Sequence, residues 1–273
     1  MTTEEPTILT KTENGVLWIT LNRPQAQNAI TPDQRDELVS LFEGASASLS
    51  TRCVVLTATG RGFCTGADLR VSRVPEAEKI EGAPDRPMGQ VARLIRSGAQ
   101  KLIGSILDCE KPVIAAVNGT AAEIGAHLAM AADLVIAADT VRFIEVFVRR
   151  GITPDGGGAY LLPRLVGVHR AKELLFFGDD LSATDAERIG IVNKVVPADQ
   201  LESAAREWAE RLATSPTKAI GLTKWLVNRS MDSDRSAAFI DEAWAQELAS
   251  TTADFKEGVA AFIERRSPEY KGW

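Results

Sequence analysis

Two stretches of the chain could use backbone N–H groups to hold a negative charge, and two side chains could move a proton. Residues 112–133 open with Pro112 and the apolar run Val113 to Val117, the length of a fully buried strand. Asn118-Gly119 breaks the run. From about Glu123 small residues recur at helical spacing, predicting a helix that other backbone can approach closely. Free N–H groups at the start of such a helix point outward, and its dipole favours an anion. A plain strand–turn–helix crossover accounts for the same residues. Residues 53–69 follow a similar plan: a buried strand, a glycine-rich loop, then Ala67-Asp68-Leu69. His127 lies on the small-residue face of the helix, as a general base, a water holder or a satisfied core histidine. Asp155, within Thr153-Pro154-Asp155-Gly156-Gly157, is either a proton-transferring carboxylate or a turn aspartate beside glycines.

Gly60-Arg61-Gly62 after a strand invites a dinucleotide-binding reading. That fingerprint wants a third glycine at position 65, where Thr65 stands, with Gly66 one residue late. A different resemblance is more specific. Phe63-Cys64-Thr65-Gly66-Ala67-Asp68, taken with residues 112–133, resembles the enoyl-CoA hydratase/isomerase (crotonase) family. The similarity runs through nearly the whole chain, including Leu21-Asn22-Arg23-Pro24, Gly151-Ile152-Thr153-Pro154 and Phe262-Ile263-Glu264-Arg265-Arg266.

The resemblance implies a crotonase-type α/β spiral of ββα turns with a helical C-terminal region. It implies an acyl-CoA thioester as substrate, its oxygen held by the N–H groups of Ala67 and Ile124 as it becomes an enolate. Coenzyme A is then part of the substrate, and no separate cofactor is implied. The adenine would lie, by position, against Gln25, Thr65, Gly66, Asp68 and Leu69. Arg23 would meet a phosphate or be an exposed loop cation. Phe262 and Arg265 would reach a neighbouring subunit's site in a homotrimer, or in a hexamer of two trimers.

Departures from the family pattern bear on the reaction. The two glutamates of its hydratases fall, by position, on His127 and Phe147. Phenylalanine can neither position water nor transfer a proton, so ordinary hydration is disfavoured. Asp155 replaces a usual glycine and resembles the base of the dienoyl-CoA and ring-forming phenylacetyl-CoA epoxide isomerase branches. A 1,3-proton shift needs one such base. His127 instead resembles a β-diketone hydrolase branch that pairs His with Asp. A third reading is an acyl-CoA-binding protein without turnover, since Phe147 makes its corner of the pocket apolar. Glu123, one helical turn before His127, is placed to pair with it. Glu145 shares a predicted strand face with Phe143 and Phe147 and so reaches towards the pocket.

The elements that must position these residues fit an ordinary globular chain of 273 residues, 45% hydrophobic and 25% charged, long enough to bury a core. A net charge of −6 argues against a general nucleic-acid or membrane-surface binder. The apolar region 113–139 is interrupted by Asn118, Glu123, His127 and Asp133, so it is not a membrane span. Two histidines argue against a histidine-based metal site. Cys53, Cys64 and Cys109 follow no metal spacing and fit a reduced compartment. Met1 to Pro6 lacks a signal pattern, so the expected location is the cytoplasm. Strands are predicted over 16–21, 53–58, 134–138, 141–148 and 191–196. Helices are predicted over 32–48 (capped by Thr31, with Pro32 first), 88–108, 158–166 and, near the end, 198–214, 216–230, 235–250 and 252–265. Residues 70–87, mixing charge, Pro and Gly, are expected to form a mobile loop over the site. Strand–helix alternation gives way to helices, placing an α/β core in residues 1–197 and a helical region in 198–273, which the resemblance implies serves for trimerisation and for capping the site.

Overall fold

The computed structural model of the chain describes residues 5–71, 80–82, 84 and 87–273. Among them, strands run in chain order as β1 (Ile8–Glu13), β2 (Val16–Leu21), β3 (Cys53–Ala58), β4 (Gly62–Cys64), β5 (Val113–Val117), β6 (Thr120–Ala122), β7 (Leu134–Ala138), β8 (Arg142–Ile144), β9 (Asp180–Ser182) and β10 (Lys194–Val196). One sheet has the order β1-β2-β3-β5-β7-β10 and the other β4-β6-β8-β9. The pairs β1/β2 and β8/β9 are antiparallel; the remaining pairings are parallel. In each of the pairs β3/β4, β5/β6 and β7/β8 the first strand enters the larger sheet and the second the smaller one. That repeated hand-over is the ββα spiral. The middle strand, Val-Ile-Ala-Ala-Val, is buried throughout, as a parallel strand covered on both faces must be.

The helices are α1 (Pro32–Ala47), α2 (Gln90–Ser97), α3 (Ala99–Leu107), α4 (Ile124–Ala131), α5 (Gly158–Val166), α6 (Val168–Phe177), α7 (Ala183–Arg188), α8 (Leu201–Ala213), α9 (Thr217–Ser230), α10 (Arg235–Ser250) and α11 (Ala253–Glu264). Thr31 and Gln34 form a capping box on α1, with Pro32 at its first position. The single helix expected over 88–108 is broken at Gly98, whose φ of −106° and ψ of −101° are not helical. A side chain there would strike the carbonyl oxygen of Leu94 and the guanidinium of Arg35, so the bend packs tightly. The strand expected over 141–148 ends at Ile144, and Val146–Arg150 coils into a 3-10 turn closed by left-handed Gly151. The strand expected over 191–196 shortens to β10. Most of the expected loop 70–87 lies outside the described residues.

The core runs between the sheets and under α8, whose Leu201, Ala204, Ala205, Ala209 and Ala213 belong to the same buried cluster as the strands. Lys224 of α9 ties the helical region to that core. Its buried Nζ donates to the carbonyl oxygens of Ile106 (2.8 Å) and Lys111 (3.3 Å) and pairs with Asp133 (2.9 Å). Asp133 in turn accepts from the N–H of Val113, the first residue of β5. No helix of the described residues is long and apolar enough to cross a membrane.

Candidate active site

Ala67 is aimed by the backbone on either side of it. Ile30 N–H donates to Gly66 O at 2.8 Å, and Asp68 N–H donates to Ile30 O at 2.9 Å. Both neighbours are thereby tied to Ile30, and the N–H of Ala67 points the opposite way, towards the start of α4. Gly66 makes this possible with a φ of +116°, where other residues are strained. Asp68 fixes the far side of the loop through Arg23 (2.9 Å) and Arg70 (2.9 Å). The two guanidinium groups hold its carboxyl far below the usual carboxylate range, Arg70 contributing most.

The facing N–H groups come from α4. Glu123 caps that helix with a φ of 54° and a ψ of −127°. Its carbonyl accepts from Ala126 and His127, and its own N–H is tied to Ile144 O. Ile124 and Gly125 are left with N–H groups that have no acceptor among the described residues. Gly125 lies so close to Cys64 of β4 that any side chain would overlap the Cys64 carbonyl. The structure therefore brings the Ala67 loop and the start of α4 to either side of one space.

That space is filled by a side chain the sequence assigned elsewhere. The Glu123 carboxylate accepts a hydrogen bond from Ala67 N–H at 2.8 Å with one oxygen and pairs with Arg150 at 2.9 Å with the other. The expected Glu123–His127 pair does not form, because Glu123 is outside the helix in a non-helical conformation and the i,i+4 rule does not reach it. His127 is fully buried, and its Nε2 meets a carboxylate oxygen of Glu145 at 3.1 Å. The Phe147 ring stacks on His127 with centroids 5.3 Å apart and planes 13° apart. Glu145 and Phe147 do not share a strand face, since β8 ends before them; they meet His127 from the coil and the 3-10 turn. His127 Nδ1 and the second Glu145 oxygen are buried without a partner. Gly156 and Gly158 lie directly against the imidazole, where a side chain on either would collide with it.

Asp155 is half-buried on that same turn and makes no ion pair among the described residues. Burial pushes its carboxyl above the ordinary value, opposed by the nearby His127. Its neighbour Gly156 packs on Ile124, so the Asp155 turn covers the first turn of α4. Ala67, Ile124, Asp155, His127 and Phe147 thus cluster, with His127 and Phe147 sealed beneath the surface. Of the residues expected around CoA, Gln25 and Leu69 are exposed beside the Ala67 loop, and Thr65 Oγ1 donates to Gln27 O at 3.2 Å. Arg23 is not a free loop cation: it is committed to Asp68, Ala29 O and Gln34. Phe262 and Arg265 are exposed on and just after α11, Phe262 at 86%. Sequence reasoning missed Arg150 and its pair with Glu123. The only available signal was the basic Arg149-Arg150 just before Gly151.

The family described as "Enoyl-CoA hydratase/isomerase" matches residues 11–273. The 1,2-epoxyphenylacetyl-CoA isomerase of Escherichia coli K12 is 37% identical over 265 residues, covering 97% of this chain and 98% of that protein. The short-chain-enoyl-CoA hydratase of Clostridium acetobutylicum is also 37% identical over 265 residues, covering 96% of each. A solved enoyl-CoA hydratase from Bacillus anthracis superposes with a TM-score of 0.87 at 33% identity, covering 98% of this chain and all of that one.

Proposed function

The chain belongs to the enoyl-CoA hydratase/isomerase family, and we propose that within it this protein isomerises an enoyl-CoA-type thioester, with Asp155 as the single base. The N–H groups of Ala67 and Ile124 hold the thioester oxygen. Asp155 removes a proton from one carbon, the negative charge moves onto that oxygen as an enolate, and Asp155 returns the proton at another carbon. Two preorganised donors on the developing oxyanion lower the barrier by several kcal/mol. The observation that carries this reading is Asp155 itself: an unpaired, half-buried carboxyl with a raised pKa, on the turn that covers Ile124. Two things support it besides. His127 and Phe147 stand where hydratases keep their glutamates, and a relative of similar length is an isomerase. CoA enters as part of the substrate, against the Gln25 and 65–69 segments, and no other cofactor takes part. The exposed Phe262 and Arg265 serve the site of a neighbouring subunit in a trimer or hexamer.

Proton exchange into substrate from deuterated water, followed by NMR over a panel of 2-enoyl-, 3-enoyl- and dienoyl-CoA thioesters, tests the assignment. Asp155→Asn keeps the shape and loses the base. Exchange should fall by on the order of 100-fold or more while thioester affinity stays within about twofold. Equal exchange in wild type and variant would remove Asp155 from the chemistry. A second reading has one specific observation in its favour, the unpartnered, buried Nδ1 of a histidine oriented by Glu145. In that reading His127 is the base for hydration or carbon–carbon cleavage. Rapid hydration of crotonyl-CoA that is lost in His127→Asn would favour it.

A further inference from the structure

We propose that the Glu123 carboxylate is a built-in ligand of the oxyanion site, and that a thioester binds by displacing it. The inference rests on the reading of Ala67 and Ile124 as the donors to the thioester oxygen. One Glu123 oxygen lies 2.8 Å from Ala67 N, the spacing of a charge-assisted hydrogen bond to an anion. An oxygen at that spot does what the enolate oxygen would do. The space it occupies exists only because residue 66 is glycine: a Cβ built on Gly66 would overlap the same carboxylate oxygen. The backbone aims the side chain there. Glu123 holds a φ of 54° with a ψ of −127°, a combination rare for any residue with a Cβ. Its side chain is 8% exposed. Arg150, 41% exposed, holds the other oxygen at 2.9 Å and stands at the solvent side of the pair.

Two consequences follow from charge and geometry. A carboxylate and an enolate oxygen, both negative, cannot share one N–H, so Glu123 leaves Ala67 before the enolate forms. Arg150 already grips it and keeps its charge paired during the exchange. Binding of a carbonyl oxygen therefore costs the enzyme an existing hydrogen bond to a charged group. A CoA thioether, which has no such oxygen, makes no claim on Ala67.

The experiment compares butyryl-CoA with S-butyl-CoA by titration calorimetry on the full chain, for wild type, Glu123→Gly and Glu123→Gln. Glycine suits the positive φ and should fold; Glu123→Gln retains the shape in case it does not. In Glu123→Gly the affinity ratio of thioester to thioether should rise on the order of 10- to 100-fold, the worth of one hydrogen bond to a charged group. In Glu123→Gln the rise should be smaller, since a neutral amide accepts more weakly. An unchanged ratio, or an equal gain for both ligands, would overturn the proposal while leaving the acyl-CoA reading intact. If no variant binds either ligand, the acyl-CoA reading falls and this inference with it. A ligand-free measurement stands apart from both: the Ala67 amide proton resonance should move upfield in Glu123→Gly, and a resonance that does not move refutes the contact itself.

Discussion

Gly125→Ala tests how the two proposed oxyanion donors, Ala67 and Ile124, are held in register. A methyl carbon on Gly125 would lie 2.0 Å from the Cys64 carbonyl oxygen and 2.7 Å from its carbon, against an ordinary contact of about 3.4 Å. The Cys64 atoms are backbone and cannot rotate away, so α4 and β4 must part by about 1.4 Å. Ile124 is the neighbour of Gly125, and Ala67 is three residues beyond Cys64, so the same movement opens the gap between their N–H groups. A misplacement of about 1 Å at reacting groups can cost on the order of 100-fold in rate. Losing one oxyanion donor costs a comparable or larger factor. Overpacking of this kind destabilises by about 1–3 kcal/mol, which for a chain of this size lowers Tm by only several degrees. The variant should therefore remain folded at 25 °C yet lose about 100-fold in substrate proton exchange. Gly44→Ala is the control, because a methyl there meets nothing within 4 Å in the last turn of α1. It should leave exchange unchanged and stabilise by up to about 1 kcal/mol. If Gly125→Ala melts lower but exchanges protons within about threefold of wild type, Ile124 N–H is not a donor and the site must be rebuilt without it.

Lys224→Met should destabilise by about 2–3 kcal/mol in chemical denaturation, because it leaves the half-buried Asp133 carboxylate without its cation; a loss under about 1 kcal/mol would show that the pair adds little. The pH dependence of proton exchange should show an acid limb above the ordinary 3.8 of an aspartate, since burial raises Asp155 and only its carboxylate is a base. The same shift acts on stability with the opposite sense. A carboxyl whose folded pKa is raised contributes stability below its unfolded value and loses it as pH rises through the folded one. Asp155→Asn should accordingly raise Tm at pH 7 and leave it nearly unchanged at pH 3, and a Tm gain that does not depend on pH would refute burial as the cause.

The parts of the fold that sequence made legible are those with enough residues to show a period. Val113 to Val117 reads as a buried strand, and α1 as a capped helix, because each contains its own boundary signals. Strands β4, β6 and β9 have three residues each, too few for alternation to register, although with β8 they build the second sheet. Helix 88–108 looks continuous because the apolar period passes through Gly98 intact, although the backbone leaves the helical region there, at a place where a side chain would strike Leu94 O and Arg35. At the site, Ala67, Ile124 and Asp155 were reached through motif position. Their neighbours could not be. That Glu123 turns towards Ala67, and Glu145 towards His127, depends on where β8 ends and on a left-handed cap, and both are settled by tertiary packing.

The layer beneath the turn bears on which reaction the pocket suits. Hydration needs an ordered water and two groups to activate it and protonate carbon. In the proposed correspondence, one such position is held by Phe147, which is 1% exposed and stacked on fully buried His127. The polar atoms of that layer without a partner are His127 Nδ1, with Gly156 close beside it, and the second oxygen of Glu145, both buried. A proton shift has the reverse requirement. One base must take a proton and return it to a different carbon before solvent intervenes, and a floor sealed from bulk solvent protects the enolate while it does so. Asp155, half-buried above that floor, meets this requirement without a second acid. In the proposed isomerase, the sealed His127–Glu145–Phe147 layer excludes water and supports the turn that carries Asp155. Opening the layer with Phe147→Ala should raise deuterium incorporation relative to intramolecular proton return, because solvent gains access to the protonated Asp155 during the enolate's lifetime. A return ratio unaffected by that opening would mean that the layer does not shield the base, and the case for a single-base isomerase would lose its structural support.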